Sequence, residues 1–268
     1  MLPNDPNLAQ LRLIAEALGD LRHQLVFVGG SIAGLLMTDP LADAVRATMD
    51  VDAVVEAGRV AFFRLEDEIA ARGFMRDSSS EVICRWKYRD SGVLFDLMPV
   101  EASVLGFTNR WYPYAIQSAT PVDLGNGITI RLASAVAFVA TKLEAFIDRG
   151  QRDFMTSHDL EDVLSVVDGR AELADEFTLA PVALRHAVAA TFAELLSNPD
   201  FENVLPGLLT DHRLQLPEMR KTWIYLAGVV VFSLAYTWLK TIMSEPVFFV
   251  GAISYLLLLR FVAERIGK

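Results

Sequence analysis

The stretch from Leu25 to Glu56, LVFVGGSIAGLLMTDPLADAVRATMDVDAVVE, narrows what this chain can fold into more than any other. Leu25, Val26, Phe27 and Val28 read as a buried strand. Gly29, Gly30 and Ser31 are a turn signal, and a short apolar helix follows before a second strand that carries Asp50 and Asp52. Side chains alternate across a strand, so residues i and i+2 share a face. Two carboxylates on one face, close to a Gly-rich turn that opens a helix, suit a nucleotide phosphate held through a divalent metal.

Composition bounds the class. At 268 residues the chain can bury a sizeable core in one large domain or two small ones. Hydrophobic residues make up 53%, and the excess is local: between Thr222 and Leu259 the only charged residues are Lys240 and Glu245. Taking the 6 basic and 3 acidic residues of Glu218–Lys268 from the chain's 24 and 34 leaves 18 basic against 31 acidic. That balance argues against a broad basic face for nucleic acid and is compatible with a local patch. Cys84 is the only cysteine, so no disulfide forms within the chain, which fits a reducing cytosol. Between apolar and basic neighbours it reads as a packed strand residue rather than a catalytic thiol. The first residues carry neither a basic leader nor a long apolar run, so no signal peptide is expected.

Asn7 is placed to cap a first helix with Leu8, Leu11, Ile14, Ala15 and Leu18 on its apolar side and Gly19 as its stop. Arg59 to Arg72 reads as an amphipathic helix closed by Gly73. Two β-like runs follow, Glu81 to Arg89 and Val93 to Val100, separated by a turn at Asp90, Ser91 and Gly92. Gly106 to Pro113 is an aromatic loop, in which Trp111 and Tyr112 either stack on a base or seal the core. Asn126-Gly127 signals a hairpin before the strand Ile128 to Arg131. Helical patterns then take over. Ser134 and Ser157 are placed to cap helices reaching Gly150 and Gly169, and Pro181 starts a third. Strands first and helices after predict an α+β chain: a mixed sheet with flanking helices, followed by a helical half.

The run GVLFDLMPV supplies a third acid, Asp96. A lone acid among Val93, Leu94, Phe95, Leu97 and Met98 is costly to bury unless it is paired or binds a metal. Placed beside the strand of Asp50 and Asp52, it completes a constellation that suits two divalent ions, a nucleoside triphosphate and a carboxylate to accept a hydroxyl proton. In CRWKYRD, Arg85, Lys87 and Arg89 alternate with Cys84, Trp86 and Tyr88. A two-residue turn at Ser91-Gly92 sets Lys87 opposite Asp96 and Arg85 opposite Met98, with the basic ladder flanking the acids. A three-residue turn sets Trp86 opposite Asp96 and sends the ladder to the other face.

GGS, a spacer, DVD and a later single Asp in a strand together resemble the polymerase-β-like nucleotidyltransferases. More narrowly, RATMDVD at Arg46 to Asp52 looks like the AbiEii-type enzymes, several of which are toxins of bacterial toxin–antitoxin pairs. ATKLEAFIDRGQRDF at Ala140 to Phe154 and SHDLEDVL at Ser157 to Leu164 are similar to the same family. The resemblance implies a nucleotidyltransferase-type fold and Mg²⁺ or Mn²⁺ at Asp50, Asp52 and Asp96. Asp96 would also activate the acceptor hydroxyl. It implies that Gly29, Gly30 and Ser31 hold the triphosphate, that Lys142 approaches the phosphates, and that Asp159 belongs to a later helical motif. From the residues alone, Lys142 reads as a solvated helix lysine, and only the resemblance gives it a role. The implied acceptor is RNA, such as a tRNA 3′ end, or protein, and the implied partner is a cognate antitoxin.

Trp223 to Leu239 is an apolar run of 17 residues and Val247 to Leu259 one of 13. A bilayer core takes about 20 residues, or about 17 at the short end. Arg220 and Lys221 before the first run, and Arg260, Arg265 and Lys268 after the second, place both ends on the cytoplasmic side of a membrane hairpin. The alternative is a buried helical hairpin in a soluble cytoplasmic protein. The expected organisation is a nucleotidyltransferase core at 1–132, a helical subdomain at 133–219 and a hydrophobic helical hairpin at 220–268, tethering the enzyme to the inner face of the membrane. Other functions compatible with these residues are a nucleotide-binding module without catalysis and a synthase of nucleotide second messengers.

Overall fold

Among the described residues, seven strands form one mixed sheet, and the order in which the chain lays them down puts the two acid-bearing strands side by side. The computed structural model describes residues 5–39, 42, 45–148 and 152–208. The described residues fall into two units divided after Arg170. The first contains α1 (Leu8–Leu18), β1 (Val26–Val28), α2 (Ala33–Leu36), β2 (Asp50–Val55), α3 (Arg59–Ala71), β3 (Phe74–Arg76) and β4 (Arg85–Tyr88). It continues with β5 (Leu94–Pro99), α4 (Ala102–Leu105), α5 (Tyr112–Gln117), β6 (Thr120–Asp123), β7 (Thr129–Leu132), α6 (Ala135–Asp148) and α7 (His158–Gly169). The second holds α8 (Leu173–Leu179), α9 (Val182–Leu196) and α10 (Pro199–Leu208), with Leu184, Val188 and Phe192 among its buried residues. The change from strands to helices after Leu132 falls inside the first unit.

The strand order is β3-β4-β5-β2-β1-β7-β6. β1 pairs antiparallel with β2 and parallel with β7, and β2 pairs parallel with β5. The outer pairs β3–β4, β4–β5 and β6–β7 are antiparallel. All three residues of β1 are buried, as a central strand covered on both faces must be. Phe27, Phe74, Phe95, Phe138 and Phe146 are fully buried, and the rings of Phe74 and Phe95 lie 5.6 Å apart. Burying such side chains is the main stabilising term, at about 1.5–3 kcal/mol each. α6 is buried on nearly every side from Ala135 to Leu143, so its mean character is more apolar than that of a surface helix.

Local signals act largely where the sequence places them. Ser134 Oγ accepts from Ala137 N–H and Ser157 Oγ from Leu160 N–H, both at 3.2 Å. Asn126 and Gly127 both have positive φ, +56° and +74°, in the turn that joins β6 to β7. Other assignments change, among them the start of helix α5 at Tyr112, inside the stretch read as a loop. Asn7 makes no cap bond. Its buried amide instead donates to Arg46 O and accepts from Thr48 N–H, each at 2.9 Å, tying α1 to the segment that leads into Asp50. Phe74–Arg76, directly after the helix-ending Gly73, is a strand that no clear alternation announces. The hydrophobic hairpin expected at 220–268 lies outside the described residues. Among the described residues, no helix is long and apolar enough to cross a membrane.

Candidate active site

The parallel pairing of β2 with β5 sets Asp52 directly beside Asp96, and the antiparallel pairing of β1 with β2 sets Val28 beside Asp52. Asp50 is two residues before Asp52 and so faces the same way. One oxygen from each of Asp50, Asp52 and Asp96 lies within 4.8 Å of the others. Asp96 is buried, and the other two are partly covered. Hard divalent cations take oxygen ligands of this kind, and three converging carboxylates fit one.

The turn before the site explains its glycines. Gly29 has φ +74° and ψ −175°, a backbone conformation essentially confined to glycine. A Cβ there would also sit 1.8 Å from Asp52 Oδ2. At Gly30 a Cβ would fall 2.7 Å from Thr48 Cγ2 and 2.8 Å from Asp162 Oδ2. Gly30–Ile32 is one 3-10 turn, and α2 adds only four residues. So short a helix supplies little macrodipole, and anion binding here rests on backbone N–H groups and the Ser31 hydroxyl. Ser31 is fully buried, and its Oγ has no hydrogen-bond partner among the described residues. An orphaned buried hydroxyl is unusual and fits a site completed by a ligand or water.

Arg85 closes the site from β4. Its Nε donates to Asp96 Oδ1 at 2.9 Å, and its Nη2 donates to Asp96 Oδ2 at 2.7 Å and to Asp50 Oδ2 at 2.5 Å. This fork holds the guanidinium charge firmly. The hydrogen bond to Asp96 raises the arginine pKa, against burial, and the charges of Asp96, Asp50 and Asp52 add to the rise. The β4–β5 register corrects both turn expectations. Arg85 pairs with Asp96, Trp86 with Phe95 and Lys87 with Leu94, because the connection spans four residues, Arg89 to Gly92. Gly92 N–H donates to Tyr88 O at 2.7 Å, and Gly92 has φ +75°. Relative to the two-residue turn this is a slip of two residues, which keeps every side chain on its face. The basic ladder therefore does flank the acids, with Arg85 rather than Lys87 opposite Asp96.

A second charge cluster lies behind the turn. Lys142, from α6, is buried, with Nζ 2.9 Å from Asp159 Oδ1 and 2.7 Å from Asp162 Oδ2. Burial works against its charge, but Asp162 and Asp159 outweigh it and its pKa is raised. Arg46 reaches the same Asp162 Oδ2 at 3.3 Å. Lys142 also lines a cleft of about 310 Å³ with Val28, Gly29, Asp52, Asn109 and Tyr112. Tyr112 thus faces the cleft beside the site, whereas Trp111 stacks on the Arg110 guanidinium at 4.9 Å. Cys84 is buried, and burial, then Asp96 and Asp52, push its thiol up to about 12, so it is no nucleophile at neutral pH.

No family model matches the chain, and no curated protein matches it. Among solved structures it is similar to an antigenic nucleotidyltransferase-like protein from Paracoccidioides brasiliensis, at 21% identity and a TM-score of 0.47, over 77% of this chain and 94% of that one. It is also similar to ANT(2″)-Ia, solved in complex with adenylyl-2″-tobramycin, at 16% identity and a TM-score of 0.40, over 70% of this chain and 97% of that one.

Of the residues singled out in the sequence, Gly29, Asp50, Asp52 and Asp96 meet in one place, and Lys142 and Asp159 meet in the adjoining cluster. Sequence reasoning gives Asp162 and Arg46 no role. The spacing of Asp159 and Asp162, three residues apart on one helix face, is the signal that could have found the first. Arg46 opens the RATMDVD stretch, but nothing in its neighbours announces a buried acid as its partner. Its partner is 116 residues away.

Proposed function

We propose that the chain is a divalent-metal-dependent nucleotidyltransferase that moves a nucleotide from an NTP to a hydroxyl acceptor. The observation that carries this reading is the convergence of Asp50, Asp52 and Asp96, within 4.8 Å, beside the Gly29 turn. In this reaction the acceptor oxygen bonds to the α-phosphorus, the bond to the β-phosphate oxygen breaks, and pyrophosphate leaves. Asp50, Asp52 and Asp96 would hold Mg²⁺ or Mn²⁺, which would supply charge neutralisation on the phosphoryl oxygens. Asp96 accepts the acceptor's proton. The backbone N–H groups of the Gly29–Ser31 turn would bind the triphosphate. An ammonium has three donors, and Asp159 and Asp162 take two from Lys142, which leaves one for a ligand in the cleft it lines.

The narrower reading is an AbiEii-type enzyme of a toxin–antitoxin pair, acting on RNA such as a tRNA 3′ end or on protein. Its support is that three separate motif stretches supply one charge network, Arg46 from the first, Lys142 from the second, Asp159 and Asp162 from the third. The apolar runs after Arg220 support tethering at the inner face of the membrane, with the site in the cytoplasm.

The test incubates the protein with α-labelled NTPs, Mg²⁺ and cell extract, and follows label into RNA, protein or a small molecule. Transfer that disappears in Asp50→Asn, with unchanged circular dichroism, supports the site, and unchanged transfer in that variant refutes it. Fractionation of the full chain beside a truncation ending before Arg220 tests the tether.

A further inference from the structure

We infer that Arg85 is a built-in cation that holds the acid triad until a divalent metal displaces it, so that metal binding at this site is an exchange. The inference rests on the metal-dependent reading above. Three carboxylates within 4.8 Å repel one another, and Arg85 offsets that repulsion from the neighbouring strand. Its Nη2 stands between two of them, 2.5 Å from Asp50 Oδ2 and 2.7 Å from Asp96 Oδ2. A divalent ion held by Asp50 and Asp96 would draw on carboxylates that Nη2 now engages, so the two cations would compete for them.

The fork has a second consequence. Both oxygens of Asp96 accept from Arg85, through Nε at 2.9 Å and Nη2 at 2.7 Å. A metal taking either oxygen would therefore have to break part of this fork. Arg85 thereby acts as a positioning residue: it keeps the triad assembled and idle, and it leaves when the metal arrives. Its register fixes it to this role, because Arg85 and Asp96 are directly paired positions of adjacent strands.

The test measures Mn²⁺ binding by the loss of the free-ion electron paramagnetic resonance signal, using the full chain and no nucleotide. Removing the competing cation in Arg85→Gln tightens Mn²⁺ binding by about tenfold to a hundredfold, the equivalent of one charge-assisted hydrogen-bond pair no longer broken. Arg85→Lys keeps a charge but not the fork and falls between. A residue serving only to hold the fold predicts the opposite sign, weaker binding as the triad splays. Should Arg85→Gln fail to fold, the wild-type chain decides through the Arg85 Nε–H resonance: the bond to Asp96 Oδ1 is expected to protect this hydrogen from exchange, and the protection is lost on saturation with Mg²⁺. Mn²⁺ binding that is no tighter in Arg85→Gln than in wild type, or Nε–H protection that survives saturation, overturns the exchange and leaves the metal reading intact. Absence of Mn²⁺ binding in every form overturns both.

Discussion

Gly29→Ala tests the site through its tightest contact. The native backbone, φ +74° and ψ −175°, is one that residues with a Cβ rarely adopt, at about 1–3 kcal/mol. The methyl also has nowhere to go: its carbon would lie 1.8 Å from Asp52 Oδ2 and 2.6 Å from Asp52 Cγ, where real Cβ contacts stay above 3.0 Å. The turn or the Asp52 side chain must therefore give by at least 1.2 Å, the difference between 3.0 Å and 1.8 Å. A shift of about 1 Å in a catalytic group is enough to lower rates on the order of a hundredfold.

Two measurements follow from this. For a unit of this size each kcal/mol moves Tm by about 2–4 °C, so the strain alone lowers it by about 2–12 °C. Nucleotidyl transfer falls on the order of a hundredfold at temperatures well below the lowered midpoint, and Mn²⁺ binding weakens with it. A variant that melts as the wild type does and keeps its transfer rate would falsify both the turn geometry and the place of Asp52 beside it. A variant that melts early but transfers normally separates the two claims, keeping the strain and removing Asp52 from the chemistry.

Lys142→Met leaves Asp162 buried with Arg46 as its remaining cation, and breaking a buried pair in this way destabilises by up to about 3–5 kcal/mol, read in a urea melt. Adding Asp162→Met to Lys142→Met is expected to recover part of that loss, because an apolar pair of similar size removes the stranded charge. Cys84 gives a pH signature. Its folded pKa is raised from 9.0 to about 12, so the stabilisation is fully present below pH 9 and is lost as pH rises toward 12. Wild type therefore loses stability more steeply than Cys84→Ala across that window, and parallel pH curves for the two would refute the assignment. Lys142, whose pKa is also raised, contributes loss of the same sign above its ordinary value of 10.5 in both proteins and does not affect the comparison.

Much of the fold was legible where the chain speaks locally. Leu25–Val28, the caps at Ser134 and Ser157 and the turn at Asn126-Gly127 each carry their conformation in neighbouring residues, and each forms as read. The alternation of the basic residues along β4 was legible too, but not the face they take, because a two-residue and a three-residue turn send them to opposite faces. Which basic residue meets Asp96 was not legible either. That depends on a four-residue connection closed by Gly92 at φ +75°, and Asp90-Ser91-Gly92 signals a turn without fixing its length. Asn7 shows the same limit from another side. An asparagine before an apolar helix carries the local signal of a cap, yet this one is drawn off by Arg46 O and Thr48 N–H, 39 and 41 residues away.

The same limit decides how the site's charges should be read. A lysine and a carboxylate in a motif invite the roles of phosphate ligand and general base, but both groups here are already engaged by other parts of the chain. Lys142 faces two acids, so its positive charge is offset before any phosphate arrives, and what it adds is a donor at a fixed position. Asp96 faces a guanidinium fork, so both of its oxygens are engaged before any metal arrives. Placing acids and bases in matched clusters lets the first unit bury Asp96, Asp162 and Lys142 without leaving any of them unpaired. It also makes the site's reactivity conditional. The carboxylates become available when a more strongly bound cation replaces the arginine, and the chemistry of the triad follows from that replacement rather than from the acids alone.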